Sequence, residues 1–188
     1  MTESNFFNRL EQVLKAAPAE SLDTGALKLK EAAVLAPIFW RGGEPWTWTT
    51  RRPETLRKHP GQISFPGGGR DESDLTLLHT ALRETEEELG IPREAVRVLG
   101  MLGGVPVPTG FYVTPFVGAV SGGQVLKPSA AEIAEVLEVP LLRLSAVRKV
   151  FFEAERDAWA WEGSAHVIWG ATHRMIRQLL ESVREAAK

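Results

Sequence analysis

The sequence predicts a layered α/β fold, and three observations predict it. Runs rich in β-branched and aromatic residues alternate along the chain with single amphipathic segments, the order in which helices pack against a sheet. Residues 74–89 carry one long helical pattern, closed by Gly90 with Pro92 just beyond, a sharp C-terminal stop. The chain has 188 residues, 44% of them hydrophobic, enough for one substantial core and consistent with a single domain over 1–188.

The elements follow in order. Residues 5–17 place Phe6, Leu10, Val13 and Leu14 at helical spacing ahead of Pro18, an N-terminal amphipathic helix expected to pack on the domain. Ala32 to Trp40 reads as a buried strand, Gly42 and Gly43 turn the chain, and Trp46, Trp48 and Thr50 alternate along a second strand. After the long helix, Val96 to Leu102 is a strand, 103–110 a rigid Gly/Pro loop, and Phe111 to Val120 another strand, with Pro115 suggesting an edge or bulge. Ile133, Val136 and Leu137 suggest a short helix over 128–139, before a strand-like Val139 to Leu142. Trp159 and Trp161 alternate with alanines as in a strand. Ile168 to Ile176 opens a C-terminal helix that continues through Leu179, Leu180 and Val183.

Composition excludes several function classes. A net charge of −2 argues against bulk attraction to nucleic acid or an anionic membrane. No apolar run approaches the length of a membrane span, and Met1 to Asn5 lacks the features of a signal peptide, so a cytoplasmic enzyme is expected. With no cysteine, disulfides and thiol catalysis are excluded. His59, His79, His166 and His173 are scattered without metal-ligand spacing.

The chemistry concentrates in the long helix. Leu78, Ala81, Leu82, Thr85 and Leu89 form its apolar stripe, whereas Glu84, Glu87 and Glu88, related as i, i+3 and i+4, share another face. Glu86 points away from both. Like charges so close repel, and a hard divalent cation with oxygen ligands removes that cost. The helix follows Phe65-Pro66-Gly67-Gly68-Gly69, a stretch free of bulky side chains where backbone N–H groups can approach a phosphate.

These residues resemble the Nudix box, Gly-x5-Glu-x7-Arg-Glu-U-x-Glu-Glu-x-Gly-U with U apolar. Gly69, Arg83, Glu84, Glu87, Glu88, Gly90 and Ile91 match over 69–91. Thr85 replaces an apolar residue, and Leu75 stands where the first Glu belongs. If Gly68 is the box glycine, Asp74 can take that acidic place. The resemblance implies a Nudix fold, a mixed sheet sandwiched between helices (α/β/α). It also implies hydrolysis of a diphosphate linked to a further group, with Mg²⁺ or Mn²⁺ held by Glu84, Glu87 and Glu88. Arg83 would orient the carboxylates, Gly67, Gly68 and Gly69 would shape the phosphate loop, and Glu132 would add a ligand or base from outside the box.

A second resemblance precedes the box. Residues 50–59 gather Arg51, Arg52, Arg57, Lys58 and His59, suited to phosphate contacts. Thr50, Arg52, Arg57, Gly61, Phe65, Pro66, Gly67 and Gly68 are similar to the pattern LLTxR-[SA]-x3-R-x3-G-x3-FPGG of Nudix enzymes that hydrolyse coenzyme A; Trp48-Thr49 replaces the leucines and Pro53 the Ser/Ala. The motif at 48–68 implies that Arg52, Arg57, His59 and Gly61 contact substrate. Pro106 to Gly118 and the Ile168-Trp169-Gly170 helix start resemble the same subgroup. The implied products are adenosine 3′,5′-bisphosphate and 4′-phosphopantetheine, from a small-molecule substrate with no nucleic-acid or membrane partner. Two alternatives stand beside this: a Nudix hydrolase for another nucleoside diphosphate derivative, such as ADP-ribose or NADH, and a binding domain without turnover.

Overall fold

The computed structural model describes residues 1–16, 29–55, 60–151 and 154–188. In chain order the elements are α1 (Glu3–Ala16), β1 (Lys30–Arg41), β2 (Glu44–Arg51), β3 (Ile63–Ser64), β4 (Gly67–Gly69), α2 (Leu77–Leu89), β5 (Arg97–Met101), β6 (Val105–Val107), β7 (Phe111–Ala119), β8 (Glu135–Pro140), β9 (Ser145–Phe151), β10 (Ala154–Ala160), β11 (Ile168–Trp169) and α3 (Gly170–Ala186).

The main sheet runs β3-β2-β1-β7-β5, with β4 added to β1, β6 to β7 and β8 to β2. β1 and β7 are parallel and the other pairs antiparallel, so the sheet is mixed. The layering follows from the two-residue period of β1. Ala32, Val34, Ala36 and Ile38 join a core with Phe6 and Leu10 of α1 and Met175, Ile176 and Leu179 of α3. The alternate residues Ala33 and Leu35 pack with Ala81 of α2, and Phe39 packs with Trp48, Leu89 and Ile91. Burial on both faces explains why β1 reads as a continuous apolar run. The result is an α/β/α sandwich. No helix among the described residues is long and apolar enough to cross a membrane.

β1 and β2 form a hairpin across Gly42 and Gly43, both at positive φ (61° and 86°), where a side chain would be strained. The helix expected from Asp74 begins later, at Leu77. Thr76 caps it by accepting a hydrogen bond from His79 N (3.1 Å), which frees Asp74 for another task. Gly90, at φ 68°, ends it as expected.

Several expectations are corrected. The helix over 128–139 is a turn followed by β8. Leu137 and Val139 are buried and Glu138 exposed, the period of a strand, and β2 offers its edge from Trp46 to Arg51. Residues 141–143 form one 3-10 turn rather than the end of a strand. Pro115 lies inside β7, not at an edge; β5 pairs up to Phe116 and β6 from Val113, so Pro115 falls where the neighbouring edge is interrupted. The Gly/Pro loop contains β6. Ile168 and Trp169 belong to a three-stranded second sheet, β11-β10-β9, and the helix starts only at Gly170.

Candidate active site

The glycine run is itself a strand. Gly67, Gly68 and Gly69 pair with Val34, Ala33 and Ala32. A methyl group on Gly67 would lie 2.6 Å from Val34 Cα, and one on Gly68 would lie 2.6 Å from Glu84 Cδ. Bare backbone here lets α2 lie close to the sheet and seats the Glu84 carboxylate directly over Gly68. The open phosphate loop expected from the sequence is thus a packed strand beside the acidic helix.

From that helix the side chains project as their spacing predicts. Thr85 is buried and donates to Ala81 O (2.7 Å). Glu84, Glu87 and Glu88 lie toward β4 and Arg83, with side chains 17% and 55% exposed for Glu84 and Glu87, while Glu88 is 4% exposed overall. Glu86, expected to face plain solvent, instead receives Arg93 Nε and Nη2 at 3.4 and 3.3 Å.

Arg83 organises this face. Its Nε and Nη2 donate to the two oxygens of Asp74 (3.1 and 2.9 Å), while Nη1 lies 3.0 Å from both Glu84 Oε1 and Glu87 Oε2. Nη2 also reaches Gly69 O at 3.5 Å. Asp74 is 2% exposed and Leu75 84% exposed, so the acidic group that meets Arg83 is Asp74. The Arg83 hydrogen bonds, opposed by burial, hold the Asp74 carboxyl well below the usual carboxylate range, and the same bonds push the guanidinium up. Sequence reading left His79 as a scattered histidine. Its Nε2 lies 2.9 Å from Arg93 Nη1 and its Nδ1 3.6 Å from Asp74 Oδ1. Because Arg93 can only donate, Nε2 is the acceptor of that bond, and Nδ1 is buried with no hydrogen-bond partner among the described residues. Its position four residues before Arg83, on one helix face, was the signal in the sequence.

The electrostatics of this face favour a cation. Burial, then the charges of Glu84 and Glu132, push Glu88 up to about 8, against a Gly67 N–H and the Arg52 charge. Burial also pushes Glu84 up, against Arg83, with Glu87 and Glu132 adding to the rise. Glu88 Oε2 is buried and has no hydrogen-bond partner among the described residues. Such a group is costly unless something positive reaches it. An all-oxygen set with one orphaned buried carboxylate oxygen fits Mg²⁺ or Mn²⁺. Among the described residues no three acidic, histidine or cysteine side chains converge closely enough to hold an ion by themselves, and Glu84 and Glu87 are instead paired with Arg83.

Glu132 lies in the turn before β8, not on a helix, yet its charge bears on both Glu84 and Glu88. Lys127 N donates to Leu89 O (2.8 Å) and Ser129 N to Glu88 O (3.0 Å), so the segment is tied to the end of α2. Arg52 is half-buried, its Nε has no partner among the described residues, and its charge also acts on Glu88. Gly61 takes a positive φ of 64°, with Glu54 packed against its Cα. Arg57 and His59 lie outside the described residues.

The site is thus a strand of bare backbone under a helix that carries three carboxylates, on a mixed sheet covered by helices on both faces. The family model for the NUDIX domain matches residues 29–160, and the chain belongs to the Nudix hydrolase family. It is 37% identical over 188 residues to the uncharacterized Nudix hydrolase NudL of Photorhabdus laumondii, covering 96% of this chain and 97% of that one. It is 44% identical over 161 residues to the protein of the same name from Yersinia enterocolitica, covering 81% and 80%. Among solved structures, the NUDIX domain of Shewanella oneidensis NrtR, complexed with ADP ribose, superposes with a TM-score of 0.54 at 16% identity over the whole of both chains, a likeness of fold.

Proposed function

We propose that this Nudix hydrolase is a cytoplasmic coenzyme A diphosphatase, one domain over 1–188, releasing adenosine 3′,5′-bisphosphate and 4′-phosphopantetheine or its acyl form. One observation carries the reading: Arg52, in the motif that runs from Thr50 to Gly68, bears its charge on Glu88 and has a buried Nε with no partner among the described residues. A guanidinium with a free Nε among the described residues suits a phosphate brought next to the carboxylates.

Glu84, Glu87 and Glu88 would hold Mg²⁺ or Mn²⁺. When bound, the ion neutralises charge on the diphosphate and makes a nearby water more acidic. Arg83, locked onto Asp74, keeps Glu84 and Glu87 from turning away. Arg52 takes a diphosphate oxygen. Glu132, whose charge bears on the same two carboxylates, would accept the proton as water attacks phosphorus and the bridging P–O bond breaks. Glu87 is the second candidate for that role. Arg57, with His59, serves the 3′-phosphate that distinguishes coenzyme A from other ADP conjugates, and Gly61 and Gly67 to Gly69 shape the surface that the substrate crosses.

The test is a panel of coenzyme A, dephospho-coenzyme A, ADP-ribose, NADH and nucleoside triphosphates. A charge-assisted hydrogen bond is worth about 1.5–3 kcal/mol, so kcat/KM should favour coenzyme A over its dephospho form by roughly 10–150-fold. Arg57→Ala should erase that preference, whereas Arg52→Ala should slow both substrates together. A wild type faster on ADP-ribose or NADH than on coenzyme A would overturn the substrate and leave the family reaction.

A further inference from the structure

Arg52 is held in place from outside its own motif. Its neighbour Arg51, the last residue of β2, lies between the first residues of two other strands, pairing with Ile63 of β3 and Glu135 of β8. Arg51 Nε donates to Glu135 Oε2 at 3.0 Å, and Arg51 O accepts from Ala134 N at 2.9 Å. The same Glu135 oxygen lies 3.2 Å from His166 Nε2. His166 comes from the connection between β10 and β11 in the second sheet, where its N–H donates to Ser164 Oγ at 3.1 Å. On its other side Arg51 Nη1 lies 3.6 Å from Glu54 Oε1, and the Glu54 carboxylate rests on the Cα of Gly61. Arg52 N donates to Gln62 O at 3.1 Å, closing the two described limbs, 52–55 and 60–62, upon each other.

A chain of polar contacts therefore runs from the second sheet to the substrate motif: His166, Glu135, Arg51, Glu54. Its first three members are partly shielded, with side chains 30% exposed at His166, 40% at Glu135 and 25% at Arg51, whereas Glu54 is 73% exposed. Contacts of this kind fix a geometry even where each contributes little to stability. Glu135 also begins only three residues after Glu132, so one short turn joins this anchor to the catalytic carboxylates.

We propose that Glu135 and His166 are positioning residues for substrate binding, acting through Arg51 to hold Arg52 where it meets the substrate diphosphate. The inference rests on the reading of Arg52 as a diphosphate ligand. It assigns the second sheet a part in recognition, because His166 is the side chain by which that sheet reaches Glu135.

The experiment measures kcat, KM and thermal melting for Glu135→Ala, His166→Ala, His166→Gln, Arg51→Ala and Arg52→Ala, on whichever substrate of the panel the wild type turns over best. Glu135→Ala and His166→Ala should raise KM on the order of tenfold, about 1.4 kcal/mol of binding, with kcat within about twofold. His166→Gln, which keeps an N–H donor for Glu135, should recover most of the loss. In an Arg51→Ala background Glu135→Ala should add nothing, since its path runs through that guanidinium. Unchanged KM in both alanine variants, or a fall in kcat and melting temperature with KM intact, overturns the positioning role. Arg52→Ala separates the two failures: if it too leaves KM unchanged, the reading of Arg52 falls; if only it raises KM, that reading stands and this inference falls. An Arg51 variant that melts below the assay temperature leaves the single Glu135 and His166 variants to decide.

Discussion

Glu88 is buried to 4% exposure, and its Oε2 has no partner among the described residues. Without a metal the protein therefore keeps this carboxyl protonated up to about pH 8. A glutamate in an unfolded chain titrates near ~4.3. Between those values the folded state holds a proton that the unfolded state has released, so Glu88 lowers stability progressively as pH rises through that window. Asp74 acts in the opposite sense: its stabilisation is present above the ordinary aspartate pKa and is lost as pH falls below it. Melting of the metal-free protein should thus decline from pH 5 to 8, and Glu88→Gln should flatten the decline; an unchanged slope would assign it to other groups. In the metal-loaded enzyme the same substitution should cost at least roughly 10–100-fold in kcat, since changes beside a ligand already cost that much. Glu86→Gln is the matched control. It loses only a half-exposed pair with Arg93, worth under about 1 kcal/mol, and kcat should be unchanged.

Among the elements, β4 and α2 act as one unit. Gly67 and Gly68 are required because the β1 backbone and a helix carboxylate occupy the space of their side chains, whereas a side chain at Gly69 would meet only Phe111 at an ordinary 3.6 Å. Gly68→Ala would push against the Glu84 carboxylate, the movable end of a side chain, so the expected outcome is a displaced ligand in a folded protein. kcat should drop by about 10–100-fold with melting little changed. Gly67→Ala meets the Val34 backbone, which cannot yield, and should lower the melting temperature as well. A silent Gly68→Ala would show that Glu84 need not sit over the strand. This unit was largely legible in sequence: spacing gave the face of Glu84, Glu87 and Glu88 and the stop at Gly90. The helix start was not, because Asp74 fits the periodic pattern while Thr76 competes for the cap.

Across the whole molecule, the site is assembled from segments far apart in sequence. The turn carrying Glu132 is held at the end of α2 because Lys127 and Ser129 supply N–H groups to the last carbonyls of that helix, which have no partner within it. Glu132→Gln should therefore lower kcat while KM stays within a small factor and stability within about 0.5 kcal/mol. A wild-type pH–rate profile in that variant would remove Glu132 from the mechanism. α1 and α3 lie wholly outside the matched residues 29–160, yet they share the core beneath β1. The expectation that both ends of the chain pack on one body rests on that shared core.

By itself the sequence determined what depends on local spacing. Helical period put three carboxylates on one face, the β1 run announced a strand buried on both sides, and the fixed intervals from Thr50 to Ile91 identified the family. Only the tertiary structure decided what depends on partners distant in sequence. Residues 128–139 satisfy a helical pattern, but the edge of β2 makes their carboxyl-terminal half a strand. Pro115 reads as an edge residue until β5 and β6 leave a gap opposite it. His79, Glu135 and His166 carry no motif; His79 meets Arg93, Glu135 meets Arg51, and His166 meets Glu135 only through the fold. Charge pairing across a fold has no period to betray it, since the distance that sets its energy is fixed by packing and not by position in the chain.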